Sequence, residues 1–271
     1  MPELPEVETT RRGIESYIRD RTIAQVKIRR YHLRWPIDRR LPRLLAGNRI
    51  MSVGRRGKYL LLDTSNGNLI IHLGMSGSLR IVPADLAPAI HDHVDIAFAD
   101  GRALRFRDPR RFGAILWCPD DPLRHPLLAG LGPEPWSEDF NADYLRGRAK
   151  GRRLAVKSFL MDAAIVVGVG NIYANEALFW AGIHPARAAG RVALGRYQEL
   201  VAKVRQVLEA AIKEGGTTLR DFVNSRGEPG YFRHELAVYD RAGQGCVSCD
   251  TEIRLTRLGQ RSTFYCPHCQ H

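Results

Sequence analysis

Over the first twenty residues, apolar side chains recur at intervals of three, seven and four positions, at Leu4, Val7, Ile14 and Ile18. That spacing gathers them on one helical face and predicts an amphipathic helix over residues 5 to 19. Pro5 and the early glutamates suit its first turn, and Gly13 is a tolerated interruption. From residue 22 to 117 the pattern shortens. β-rich runs at 26–29, 59–63, 69–73, 79–82 and 94–99 are separated by turn signals such as Ser65-Asn66-Gly67 and Asp100-Gly101. Many short strands with turns between them predict a β-sandwich or barrel. The proline-rich stretch 131–136 reads as a linker. After it the period is helical again: Tyr197, Leu200, Val201, Val204, Val207, Leu208 and Ala211 form one stripe, ended by Gly215-Gly216. The expected fold class is therefore α+β, an N-terminal helix with a sandwich followed by a helical domain and a cysteine-bearing tail. The expected divisions are 1–133, 134–235 and 236–271.

Composition narrows the class. The chain has 271 residues, of which 44% are hydrophobic, as in ordinary globular cores. Its apolar runs, such as 163–169, are far shorter than the about 20 residues that cross a bilayer. The N-terminus, with Pro2, Glu3, Pro5, Glu6 and Glu8, lacks the basic start and apolar stretch of a signal peptide, so a cytoplasmic protein is expected, with no membrane partner. The net charge of +12 favours a polyanionic partner, usually nucleic acid, over a basic surface kept for solubility.

Four of the five cysteines fall in the tail as Cys246-x2-Cys249, a 16-residue spacer, and Cys266-x2-Cys269. Each pair can grip one ion from a tight knuckle, and two knuckles complete a closed tetrahedral sulfur site, which predicts one structural Zn2+ rather than a redox pair. His268 is a bystander, since four sulfurs suffice. Cys118 stands apart and is expected in the core. Between the knuckles the sequence suggests a β-hairpin with Arg261 near its outer part, where an arginine serves either as a phosphate clamp or as a solvated charge.

Cations concentrate in three segments. Residues 29–43 hold six arginines against one aspartate, 102–111 hold five against one, and 146–157 hold six cations and no acid. Single-sign clusters repel themselves unless solvated or matched by phosphates, and DNA contact is expected for the second and third. Within the second, Phe112 stands among arginines, either as a core residue or as a wedge between bases. Gly168-Val169-Gly170-Asn171 precedes a helical run, so it is either an amide-lined anion turn or a tight interhelical turn. It is neither a dinucleotide fingerprint nor a P-loop.

Several separated signatures resemble one family. They are Pro2-Glu3-Leu4-Pro5-Glu6-Val7-Glu8, Lys58-Tyr59-Leu60, His72-Leu73-Gly74-Met75-Ser76-Gly77, Val167-Gly168-Val169-Gly170-Asn171-Ile172-Tyr173-Ala174 and the four-cysteine tail. Together, from residue 2 to the last cysteine, they are similar to bacterial formamidopyrimidine-DNA glycosylase. The resemblance implies a two-layered sandwich, a helix–two-turn–helix and a zinc-finger hairpin. It also implies a nucleoid-associated, monomeric enzyme acting on double-stranded DNA with an oxidised purine or abasic site, without an organic cofactor. The implied nucleophile is the α-amine of Pro2, exposed when Met1 is removed, which proline at position two permits. Glu3 matches the proton-shuttling carboxylate, although residue type alone makes it only a helix-dipole acid. Lys58 and Arg261 match the residues of β- and δ-elimination. Glu6 and Glu176 match acids of the active-site region. Met75, Arg110 and Phe112 match the set that fills the gap left by an everted base, while His91, Arg152, Lys157 and Asn171 fall at DNA-backbone positions. Residues 217–232 match a loop that closes over the damaged base. The alternatives are an endonuclease VIII-like glycosylase for oxidised pyrimidines, whose N-terminus usually has Gly where Leu4 stands, and a non-catalytic zinc-containing DNA-binding protein, in which Pro2, Glu3 and Lys58 would be idle.

Overall fold

The computed structural model describes residues 2–216 and 236–271. They form two compact units, residues 2–129 with 214–216, and residues 130–213 with 236–271. The closing loop expected at 217–232 lies outside the described residues, as does Met1.

The first unit opens with α1 (Leu4–Ile18), which buries the stripe Leu4, Val7, Ile14 and Ile18. Two antiparallel four-stranded sheets follow. One has the order β1 (Ile23–Ile28), β6 (Asp92–Phe98), β7 (Arg102–Arg107), β5 (Ser78–Pro83). The other runs β2 (Ile50–Arg56), β3 (Tyr59–Thr64), β4 (Gly67–His72), β8 (Ala114–Cys118). Their inner faces share one apolar core, so the sandwich is formed and the barrel is not. Cys118 is buried at the end of β8.

Strands β2, β7 and β8 were not singled out by the hydrophobic pattern, and two of them have a clear physical reason. In β2 a register shift after Ile50 breaks the alternation, so its buried positions Ile50 and Val53 lie three apart, a helical spacing. In β7 three arginines are interspersed with apolar residues and read as a cation cluster. Arg105 nevertheless points inward, 3% exposed, and its Nε and Nη2 donate to the two oxygens of Asp95 at 2.8 and 2.9 Å. Arg102 likewise pairs with Asp100. The expectation that the whole 102–111 cluster faces DNA is therefore corrected: these two arginines are neutralised within the sheet and its turn, and Arg110 and Arg111 remain exposed.

The second unit contains α4 (Ala142–Ala149), α5 (Val156–Leu160), α6 (Asn171–Trp180) and α7 (Leu194–Lys213), preceded in the chain by the short α2 (Leu41–Leu45) and α3 (Pro126–Ala129) of the first unit. Helix α7 buries all seven residues of its predicted stripe. Stretch 131–136 is fastened to this unit rather than loose. Gly132 N donates to Ala163 O at 2.8 Å, and Arg205 Nε donates to Pro135 O at 2.7 Å. The tail forms the hairpin β9 (Arg254–Leu258) and β10 (Arg261–Tyr265), which lies on α6. There Phe264 N donates to Asn175 Oδ1 at 2.9 Å, and Phe179, Val238, Ile253 and Phe264 share a small core with Cys246 and Cys266.

Candidate active site and metal centre

In the first unit the start of α1 is held by a reciprocal cap. Glu3 accepts from the backbone of Glu6, and Glu3 N donates to Glu6 Oε2 at 2.8 Å. Both acids are buried, as is Pro2. Glu6 therefore fixes the backbone next to Pro2, and the side chain of Glu3 is turned back onto the first turn of α1. Gly216, at φ +87°, comes close enough to Glu6 that a Cβ there would lie 3.2 Å from its Cγ and Oε1.

Lys58 is carried by the β2–β3 hairpin, whose two-residue loop has Gly57 at φ +55° followed by Lys58. A glycine with positive φ in the first loop position is the demand of a type II′ turn. The hairpin tip is tied to α1 by a relay that sequence reasoning missed. Arg55 Nε donates to Glu8 Oε2 at 3.1 Å, and Arg55 Nη1 donates to Gly57 O at 2.9 Å. Burial pushes the Glu8 carboxyl up, but hydrogen bonds and charge from Arg11, Arg12 and Arg55 outweigh it and hold the carboxyl below its usual range.

His72 lies on the adjoining strand, its ring 4.8 Å from that of Tyr59. Burial, with the charges of Lys58 and Arg34, depresses its pKa to about 4. Its Nδ1 accepts from Gly74 N at 3.0 Å, so the neutral ring carries its proton on Nε2. Met75 is half-buried in the next loop, while Arg110 and Phe112 are exposed in the loop after β7. The guanidinium of Arg110 lies 5.1 Å from the Phe112 ring centre, a cation–π contact that holds the two together. His91 is half-buried just before β6.

In the second unit, Asn171 opens α6, and its Nδ2 donates to Ser262 O at 3.1 Å. Arg261 is exposed at the first position of β10, after a two-residue turn in which Gly259 and Gln260 both have positive φ, at 54° and 63°. Such a turn matches the twist of the strands and fixes where Arg261 emerges. Arg152 is half-buried, its guanidinium 5.6 Å from the Phe159 ring centre.

Two expected site residues have other work. Lys157 is 1% exposed, and its Nζ donates to Ser262 O at 2.9 Å and Thr263 Oγ1 at 2.7 Å. It fastens the hairpin to α5. Glu176, also 1% exposed, accepts from the amides of Ala237, Val238 and Tyr239 at 2.8 to 3.0 Å. It anchors the root of the tail. Nothing in their residue types distinguishes these roles; only the tertiary partners do.

The sulfurs of Cys246, Cys249, Cys266 and Cys269 lie within 4.8 Å of one another, with neighbouring pairs at 3.4 to 3.9 Å. A tetrahedron with Zn–S bonds of about 2.3 Å needs sulfurs slightly under 4 Å apart, so the four thiolates fit one zinc ion. Amides support the cluster, Ser248 N donating to Cys246 Sγ and Cys269 N to Cys266 Sγ, each at 3.4 Å. All four ligand positions come from protein, so the metal is structural.

The sandwich opened by α1, the helical unit and the four-cysteine hairpin are the three parts that known protein families recognise in this chain. Residues 1–115, 131–223 and 243–271 match, in turn, the models of the formamidopyrimidine-DNA glycosylase N-terminal domain, its H2TH domain and the zinc finger found in this glycosylase and isoleucyl-tRNA synthetase. The chain belongs to the formamidopyrimidine-DNA glycosylase family. It is 58% identical to the Methylococcus capsulatus formamidopyrimidine-DNA glycosylase, with all of both chains covered. Among solved structures it resembles the Lactococcus lactis enzyme bound to DNA containing an abasic site, with a TM-score of 0.91, 33% identity and 99% of each chain covered. The same enzyme with Fapy-dG DNA matches at 0.91 and 33%, covering 99% of this chain and 100% of that one. Among the described residues no helix is long and apolar enough to cross a membrane.

Proposed function

We propose that the chain is a bifunctional DNA glycosylase and AP lyase of base excision repair, removing 8-oxoguanine and formamidopyrimidines from duplex DNA. The observation that carries this reading is the capped start of α1, in which Glu6 holds the backbone of Glu3, the residue next to Pro2. Its substrate class is supported by the names of the relatives and by the abasic and Fapy-dG DNA bound in the Lactococcus neighbours. DNA being the substrate, the protein works at the nucleoid, in the cytoplasm.

Once Met1 is removed, Pro2 carries a secondary amine. An α-amine has a pKa near ~8 against ~10.4 for lysine, so a useful fraction is neutral at pH 7. Its lone pair attacks C1′ of the deoxyribose, and the bond to the base breaks, the base leaving with the electron pair and gaining a proton. Glu3 moves protons at the sugar as the ring opens to an iminium. The iminium acidifies C2′; loss of that proton expels the 3′ phosphate, and a second elimination expels the 5′ phosphate. Lys58 assists the first elimination and Arg261 the second.

Met75, Arg110 and Phe112 fill the gap of the everted base, with Arg110 facing cytosine, while His91, Arg152 and Asn171 contact the backbone. Flipping costs a few kcal/mol, which such fillers offset. The segments 1–133, 134–235 and 236–271 then serve as catalytic, helix–two-turn–helix and zinc-finger parts. The test is borohydride trapping on abasic duplex DNA, where one covalent adduct at Pro2 is expected. Intact mass gives the Met1 state of the same sample, and an untrapped protein with a free Pro2 amine sinks the reading. Parallel duplexes with an oxidised pyrimidine separate it from an endonuclease VIII-like preference, since faster excision of the pyrimidine would reverse the substrate assignment.

A further inference from the structure

Beneath the exposed Arg110 and Phe112 lies a buried acid that no step above uses. Asp108 is 0% exposed. Its Oδ1 accepts from Ser76 Oγ at 2.8 Å, and its Oδ2 accepts from Gly113 N at 2.8 Å. Ser76 Oγ in turn accepts from Arg110 N at 3.1 Å. One carboxylate and one hydroxyl thus join the residue after Met75 to the amide of Arg110 and to the residue after Phe112.

The backbone of Asp108 extends the knot. Its N donates to His91 O at 3.0 Å, and its carbonyl accepts from Arg111 N at 3.2 Å and from His93 Nε2 at 2.8 Å. Arg111 is held at φ 56°, a left-handed conformation that a non-glycine side chain adopts at a cost. The two loops also touch directly. A Cβ on Gly74 would fall 2.4 Å from Phe112 C and 2.5 Å from Gly113 N, so only glycine permits the approach. A buried carboxylate accepting charge-assisted hydrogen bonds from two loops is a stiff link.

We propose that Asp108, acting through Ser76, is a positioning residue that sets the spacing of the Met75 loop against the Arg110–Phe112 loop. It thereby governs both insertion into the stack and the choice of the opposite base. The inference rests on the gap-filling roles assigned to Met75, Arg110 and Phe112. Abasic-site chemistry at Pro2 needs less from this link, because no base remains to be displaced.

The experiment compares Ser76→Ala, Asp108→Asn and Arg110→Ala by single-turnover excision of 8-oxoguanine opposite cytosine and opposite adenine. It runs alongside borohydride trapping on abasic duplex and the fluorescence of 2-aminopurine beside the lesion. Ser76→Ala removes one small hydroxyl and keeps the fold within reach even if Asp108→Asn does not fold. Loss of a buried hydrogen bond should slow excision opposite cytosine by roughly tenfold, with a several-fold smaller loss of trapping. The cytosine-to-adenine ratio and the 2-aminopurine signal should fall with it. If Arg110→Ala lowers the ratio while Ser76→Ala leaves ratio and fluorescence at wild-type values, the positioning role is wrong and the role of Arg110 stands. Should Arg110→Ala itself leave the ratio unchanged, the base-reading role fails and the inference falls with it. Equal losses in excision and trapping by Ser76→Ala would mark a general structural defect and also overturn it.

Discussion

At the scale of single residues, function turns on nitrogen atoms whose chemistry depends on place. In the proposed mechanism Pro2 reacts only as a free α-amine, so any residue joined to it would convert that nitrogen to an amide. An uncut N-terminal extension is expected to abolish borohydride trapping, and Pro2→Gly to weaken it, both measured on the same abasic duplex. Full strand cleavage by the extended protein would refute the assignment. Lys58 sits at a hairpin tip that Gly57 shapes and the Glu8–Arg55 relay steadies. Lys58→Ala should slow single-turnover release of 8-oxoguanine by about a hundredfold, the usual scale for a positioned acid–base group, while changing duplex affinity far less. A change confined to affinity would make Lys58 a phosphate contact alone.

At the scale of elements, the hairpin of β9 and β10 presents Arg261, and its placement rests on groups outside the hairpin. Lys157 and Asn171 both donate to Ser262 O, the carbonyl next to Arg261. Lys157→Met removes the ammonium and keeps the stem, leaving Thr263 Oγ1 without that donor. The expected cost is about 1–3 kcal/mol in urea unfolding, with the second elimination slowed more than base release. Unchanged stability with a salt dependence of binding lowered by about one phosphate would restore Lys157 to the DNA backbone. The zinc site acts on the same hairpin. Protein should hold one zinc per chain by elemental analysis, and Cys249→Ser should lose metal and DNA affinity while the circular dichroism of the sandwich persists. Active protein without zinc would remove the metal from the account.

Across the sandwich as a whole, buried charge sets the response to pH. His72 is neutral in the fold, with its pKa near 4, while the unfolded chain binds its proton near ~6.5. In that window the unfolded state carries more protons, so stability rises with pH between about 4 and 6.5 and falls as acid is added. The separation amounts to about 3 kcal/mol at most for this one group. Glu8 and Asp95 act in a lower window. Burial raises both carboxyls, but their arginine partners outweigh it and hold them below the usual range. Their stabilisation is present above the ordinary carboxylate range near ~4 and is lost as pH falls through the lowered values. Denaturant unfolding from pH 7 to 3 should show the first loss flattened in His72→Gln and the second retained. An identical profile in that variant would deny His72 its buried, neutral state.

The sequence by itself determined what depends on local spacing. The apolar stripes of α1 and α7 gave those helices, the paired two-residue cysteine knuckles gave the zinc site, and the turn signals at Ser65-Asn66-Gly67 and Asp100-Gly101 marked hairpins. The motifs around Pro2, Lys58 and Met75 pointed to the chemistry. Local spacing failed wherever a side chain's environment came from a distant strand or helix. A bulge disguised β2 as a helix fragment, and Asp95 drew Arg105 into the sheet, so that a run of cations read as a DNA surface was partly an internal ion pair. Lys157 and Glu176 read as a DNA-backbone contact and an acid of the active-site region, and nothing in the sequence signalled that Lys157 holds the hairpin or that Glu176 holds the root of the tail. The Asp108–Ser76 link joins residues 32 positions apart and left no periodic trace. A charge announces itself in sequence, but whether it meets solvent, a ligand or a buried partner is decided by burial and hydrogen bonding, which only the tertiary structure supplies.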